Sequence, residues 1–81
     1  MKRETMTKPR TRRLVVCVSN EGYLASLEAR KIYIAVPDSG AEKHGLLRVV
    51  DESGDDYLYP KALFRPISLP QSVTKAVLAA A

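Results

Sequence analysis

Apolar residues in this chain come in short runs, each cut off by turn-forming residues. Leu14-Val15-Val16-Cys17-Val18 is rich in β-branched side chains and ends at Ser19-Asn20-Glu21-Gly22, the pattern of a buried strand. From Lys31 to Val36 the positions alternate, with Ile32, Ile34 and Val36 on one face and Lys31, Tyr33 and Ala35 on the other. Pro37-Asp38-Ser39-Gly40 closes that run with turn chemistry. Alternation resumes from Gly45 to Asp51, with Leu47 and Val49 facing one way and Leu46, Arg48 and Val50 the other. Glu52-Ser53-Gly54-Asp55-Asp56 is a polar turn, Tyr57-Leu58-Tyr59 is a short strand, and the two runs predict a hairpin that Pro60 stops. Lys61 to Leu69 holds a brief turn and a last strand carrying Phe64, Ile67 and Leu69, whose Pro66 suits a sheet edge. Beyond it, Pro70 opens a C-terminal helix over 70–81 with one weak apolar face (Val73, Ala76, Val77, Ala80), expected to pack on the strands.

Tyr23 to Arg30 has two readings. Leu24 and Leu27 are three apart among good helix formers, and Asn20 is a suitable cap, which would give a helix of barely two turns held by packing. The other reading is a long irregular connection between the first two strands.

Short strands separated by turns argue for a sandwich or a small barrel. The segment 14–69 is too short for a seven-stranded sandwich, whereas five strands closing on themselves fit. The order is a strand, a long first connection, two strands, a tight acidic hairpin, a strand, a proline with a brief turn, and a last strand. It resembles the SH3-like barrel, in which a segment such as Tyr59-Pro60-Lys61-Ala62-Leu63-Phe64 supplies a proline and a short 3₁₀ turn before the last strand. The stretch SLEARKIYIAVPDSGAEKHGLLRVVDESGDDYLYPKALFRPISLP is also similar to a family of small uncharacterised bacterial proteins, over about Val15 to Leu78. That resemblance supports a mainly β, five-stranded SH3-like barrel and implies no particular activity. The chain departs from signalling SH3 domains: Tyr23 stands without an Ala-Leu-Tyr-Asp-Tyr motif, and there is no tryptophan to wall a proline-rich peptide groove. Recognition of PxxP ligands in that mode is therefore not expected.

Charge divides the chain. Residues 1–13 carry six basic side chains against Glu4 alone, a net +5, while the remainder sums to −1. With Thr5, Thr7, Pro9 and Thr11 among those charges and no apolar periodicity, residues 1–13 are expected to form a disordered, flexible basic tail. The single cysteine, Cys17, excludes an internal disulfide and lacks the partners of a zinc site. No apolar run approaches the roughly 20 residues of a membrane-spanning helix. These features together lead to the expectation of a cytoplasmic, soluble protein without cofactor or metal.

Candidate chemistry is sparse. Asp51, Glu52, Asp55 and Asp56 surround Gly54, but without the ligand spacing of a calcium loop they read as a solvated turn. Cys17 and His44 are the only nucleophile and base of the usual kind, and an apolar strand holds its cysteine as a small hydrophobe with a raised pKa. No catalytic residues are assigned, and an enzyme is not expected. If Ile32, Ile34 and Leu58 face the core, then Tyr33, Tyr57 and Tyr59 face outward as an aromatic patch rimmed by Arg48 and Lys31. Such a patch binds peptides, partner proteins or unstacked bases, unless its tyrosines only shield the barrel edges. The first expectation is a non-catalytic protein–protein interaction module or small accessory protein, acting on a partner or as a homo-oligomer through Tyr33, Tyr57, Tyr59, Arg48 and Phe64. The alternative is a nucleic-acid-binding accessory protein in which Arg10, Arg12, Arg13 and Lys31 meet phosphates.

Overall fold

The computed structural model describes residues 12–80, so most of the basic tail, including Arg10, lies outside the described residues. Five antiparallel strands make one curled sheet: β1 (Arg13–Cys17), β2 (Ile32–Val36), β3 (Leu46–Val50), β4 (Asp56–Pro60) and β5 (Phe64–Pro66). The spatial order is β4-β3-β2-β1-β5. The chain runs as a meander from β1 to β4 and then returns to the free side of β1. There Val15, Val16 and Cys17 face Pro66, Arg65 and Phe64. No helix among the described residues is long and apolar enough to cross a membrane.

Register decides which side chains share a face. Val15 lies opposite Tyr33, Arg13 opposite Ala35, Ala35 opposite Val49, and Leu47 opposite Tyr59. The inner face therefore carries Val15, Cys17, Tyr33, Ala35, Leu47, Val49, Tyr59 and Phe64, all buried and packed as one core. This reverses the orientation expected for the second and fourth strands. Tyr33 and Tyr59 are only 5% and 4% exposed, whereas Ile32 and Leu58 on the opposite face are 40% and 41% exposed. Ile34 is buried on that outer face with Leu14, its partner across the ladder. β1 is thus buried on both sides, which is why its sequence is a continuous apolar run rather than an alternating one.

Segment 18–31 contains no helix. It is a chain of turns whose Leu27 drops into the core and whose Tyr23 packs against it. Tyr23 O accepts from the N–H groups of Ser26 and Leu27 at 3.0 and 2.9 Å, and Asn20 Nδ2 donates to Leu27 O at 3.0 Å. The segment rejoins the sheet where Arg30 takes φ 68°, donating to Cys17 O, before Lys31 O accepts from Cys17 N–H. A positive φ at a non-glycine residue is held only when surrounding bonds fix it.

Between β2 and β3 the expected turn holds a single helical turn, α1 (Ser39–Glu42). Asp38 caps it, accepting from Ala41 N–H at 3.0 Å. After Pro60, a 3₁₀ turn over Lys61–Leu63 leads into β5, as the sequence predicts. The C-terminal helix α2 (Gln71–Ala80) follows Pro70, and none of its residues is buried. Its Ala80 reaches the outer-face hollow lined by Ile32, Ile34 and Val50.

Candidate functional site

The acidic turn between β3 and β4 and the 18–31 loop meet above the inner face, held by two tyrosines whose rings lie in the core. Gly54 supplies the φ of 88° that the turn requires, its N–H donating to Asp51 O at 3.0 Å. The Asp51 carboxylate is buried and uses both oxygens. Oδ1 accepts from Ser53 N–H at 2.9 Å and from Ser53 Oγ at 2.6 Å, while Oδ2 accepts a short bond from the Tyr59 hydroxyl. Burial works to raise the Asp51 pKa, but the Ser53 and Tyr59 bonds outweigh it and hold the carboxyl below its ordinary value. Tyr59 moves the opposite way, raised by burial and then by donating to that carboxylate.

Tyr33 makes the equivalent connection one residue along the turn. Its hydroxyl donates to Glu52 and accepts from Glu28 N–H at 2.7 Å. Lys31 Nζ lies 2.6 Å from Glu52 Oε2, and Glu52 N–H donates to Ser26 O at 3.1 Å. Burial first, and then the Glu52 bond, push the Tyr33 pKa up, whereas Lys31 and Tyr33 lower that of Glu52. The inner-face rings stack edge to face, Tyr23 against Tyr59 at 5.0 Å and Tyr59 against Phe64 at 6.3 Å, each such pair adding about 1 kcal/mol beyond area burial. Long aromatic side chains with a polar tip are suited to this geometry: the ring fills the core and the hydroxyl reaches the turn at its rim.

Beside this anchor lies a hollow of about 420 Å³ lined by Tyr23, Ser26, Asp51, Ser53, Tyr57, Leu58 and Tyr59. Consecutive strand residues point to opposite faces. A hollow touching Tyr57, Leu58 and Tyr59 in succession therefore lies along the side of β4, between that strand and the 18–31 loop. Tyr57 shares the inward-facing side of β4 with Tyr59 but sits beyond the core, 53% exposed. Leu24, next to Tyr23, is 77% exposed.

The residues expected to form one surface are therefore separated. Tyr57 lines the hollow as an exposed side chain, while Tyr33, Tyr59 and Phe64 are core residues, so the outward three-tyrosine patch does not form. Arg48 does not rim Tyr57. It lies across the ladder from Leu58 on the outer face, with Nε 2.9 Å from Asp38 Oδ2 and a guanidinium nitrogen 3.7 Å from Asp56. Of the cations expected to meet nucleic acid, Arg13 pairs with Glu42 at 3.1 Å, Lys31 pairs with Glu52, and Arg12 is exposed. Cys17 is wholly buried, its thiol donating to Ser19 O at 3.2 Å, and burial raises its pKa. His44 stands exposed after α1. Among the described residues no group of three or more His, Cys, Asp or Glu side chains is placed to hold a metal ion.

Sequence reasoning did not find Tyr23, Ser26, Asp51 or Ser53 as lining residues. A signal for part of this was present: aspartate followed two residues later by serine is the pattern of a side chain folding back on its own turn. Comparison of the chain with family models, curated proteins and solved structures finds no match.

Proposed function

We propose that the protein is a non-catalytic cytoplasmic interaction module that binds a segment of a partner protein in the hollow between β4 and the 18–31 loop. The observation that carries this reading is the hollow itself. It brings half-exposed Tyr57 and partly buried Tyr23 together with the polar residues Ser26 and Ser53. Aromatic side chains with a polar rim are the composition of energetic centres in protein interfaces. Its floor is preorganised, because Asp51 and Glu52 fix the turn to Tyr59 and Tyr33 before any ligand arrives. The strand order, the long first connection and the Pro60 3₁₀ turn support an SH3-like barrel as the scaffold.

Selection of a random peptide library on the immobilised full chain, followed by amide chemical-shift mapping, tests the proposal. Enriched peptides are expected to perturb Tyr23, Ser26, Ser53 and Tyr57 and to lose at least tenfold in affinity against Tyr57→Ala, the loss expected of an anchor worth more than about 1.4 kcal/mol. Peptides that map to another surface, or a library that yields none, would overturn it. The nucleic-acid reading has weaker support, since two of its four cations, Arg13 and Lys31, are each engaged by a carboxylate.

A further inference from the structure

We infer that the hollow takes its ligand by strand addition: an extended, basic segment of a partner protein pairs with the main chain of Leu58 on the edge of β4 that, among the described residues, no other strand pairs. This rests on the reading of the hollow as the binding site and specifies its chemistry.

In an antiparallel ladder, residues that exchange hydrogen bonds alternate with residues that do not. The β3–β4 ladder is bracketed by Lys61 N–H to Gly45 O at 2.9 Å and Asp51 N–H to Asp55 O at 3.0 Å. With Leu47 opposite Tyr59 and Val49 opposite Tyr57, these two bonds set the phase. Tyr57 and Tyr59 turn their main-chain groups toward β3, and Leu58 turns its N–H and C=O away, into the side of the strand where the hollow lies. Pro60 has no N–H, so the open stretch is short and centred on Leu58.

The other edge of the sheet is closed to the same use. Val18 N–H to Leu63 O and Ile67 N–H to Leu14 O place Arg65 in contact with β1 and turn Phe64 and Pro66 outward. Phe64 N–H is occupied by Lys61 O, and Pro66 has none to offer. Unpaired strand edges are templates for pairing, and proteins blunt those they do not use. Here one edge is blunted and the other opens onto a lined hollow.

Charge names the occupant. The 18–31 loop and the 51–56 turn together hold Glu21, Glu28, Asp51, Glu52, Asp55 and Asp56 against Arg30, Lys31 and the Arg48 guanidinium, which Asp56 shares with Asp38. A segment rich in Lys or Arg meets this field favourably, and an acidic one is repelled.

The test uses the full chain and capped five-residue peptides of alternating arginine and valine, an alternating glutamate and valine counterpart, and versions of the first with single backbone N-methyl groups. The arginine peptide is expected to bind with shifts centred on Leu58 and to weaken steeply with salt. Methylation at the position pairing with Leu58 is expected to cost about tenfold, and methylation at its neighbours little, following the net worth of one or two hydrogen bonds. Leu58→Pro removes an N–H that the ladder does not use and is expected to cause a similar loss while the thermal transition persists. If the methylated peptides all bind like the parent, strand addition is wrong while the hollow remains a binding site. If no peptide shifts the hollow residues, both readings fail. Equal binding of the glutamate peptide overturns the charge assignment. A rise in affinity when Lys8, Arg10 and Arg12 are replaced by serine would show that the chain's own tail occupies the edge, which overturns the assignment to a partner.

Discussion

Leu58 and Tyr59 are neighbours on one strand, yet one is 41% exposed and the other 4%. The same contrast separates Ile32 from Tyr33 on β2. The outer face of the sheet carries Leu14, Ile32, Ile34 and Leu58 beside the charged Arg48 and leaves Ile32 and Leu58 partly in water. The inner face buries Tyr33, Tyr59 and Phe64 with Val15, Val49, Ala35, Cys17 and Leu47. The difference is one of reach. An isoleucine on the inner face would fill volume but could not engage the turn, whereas Tyr33 and Tyr59 fill the core and also satisfy Glu52 and Asp51 at its rim. Burial in this small domain follows what a side chain can complete as well as how apolar it is.

Paired substitutions sharpen that contrast. Tyr59→Ala is expected to destabilise the fold by about 3–5 kcal/mol, the range for truncating a buried aromatic, and Leu58→Ala by less than about 1 kcal/mol. Denaturant unfolding of the two variants measures the difference, and equal losses would break the assignment of faces. Removing an anchor without emptying the core gives a smaller effect. Asp51→Ala leaves the buried Tyr59 hydroxyl without its acceptor and is expected to cost about 1–3 kcal/mol. Tyr33→Phe deletes the donor to Glu52 and the acceptor for Glu28 N–H, for about 1 kcal/mol.

Acid acts on the same anchors. Asp38, Asp51 and Glu52 have pKa values lowered by folding: Asp38 by the Ala41 N–H and Arg48, Asp51 by Ser53 and Tyr59 against its burial, and Glu52 by Lys31 and Tyr33. Groups depressed in the folded state bind protons more weakly than in the unfolded chain. Their contribution is present above the ordinary carboxylate range and is lost as pH falls through the folded values. Stability is therefore expected to hold from neutral pH down to about pH 5 and to decline below about pH 4. The decline should be shallower in Asp51→Asn than in the parent. The smallest expected effect on stability belongs to Tyr57→Ala, within about 0.5 kcal/mol, because its ring completes no buried contact. Its consequence is expected in binding instead.

The positions of the first four strands, the hairpin, the Pro60 turn and the edge proline were legible in the sequence, because each is punctuated by residues with a local conformational reason to be there. The last strand spans only Phe64–Pro66 and leaves out Ile67 and Leu69, which the sequence pattern placed on it. The phase of β2 and β4 was not. Alternation shows that Tyr33 and Ile34 oppose each other, but it does not show which face the rest of the fold covers. Here both Leu14 and Ile34 on the outer face and Val15 and Tyr33 on the inner face are buried. Segment 18–31 was undecidable for a different reason. Its helix-forming residues are overridden by tertiary pull on Leu27 and by the positive φ values of Gly22 and Arg30. The hollow was hidden because it is made by two segments distant in sequence, and of its lining residues only Tyr57 and Tyr59 were singled out from the sequence as candidate binding residues.

The inward placement of Tyr33 and Tyr59 underlies both the anchored turn and the narrowing of the candidate surface to the side of β4. Attenuation of ¹³C-labelled tyrosine ring signals by a soluble paramagnetic agent tests it most directly. Tyr57 is expected to lose most of its intensity, with Tyr33 and Tyr59 largely spared. Attenuation of Tyr33 and Tyr59 to the same degree as Tyr57 would contradict the account and restore an outward aromatic face.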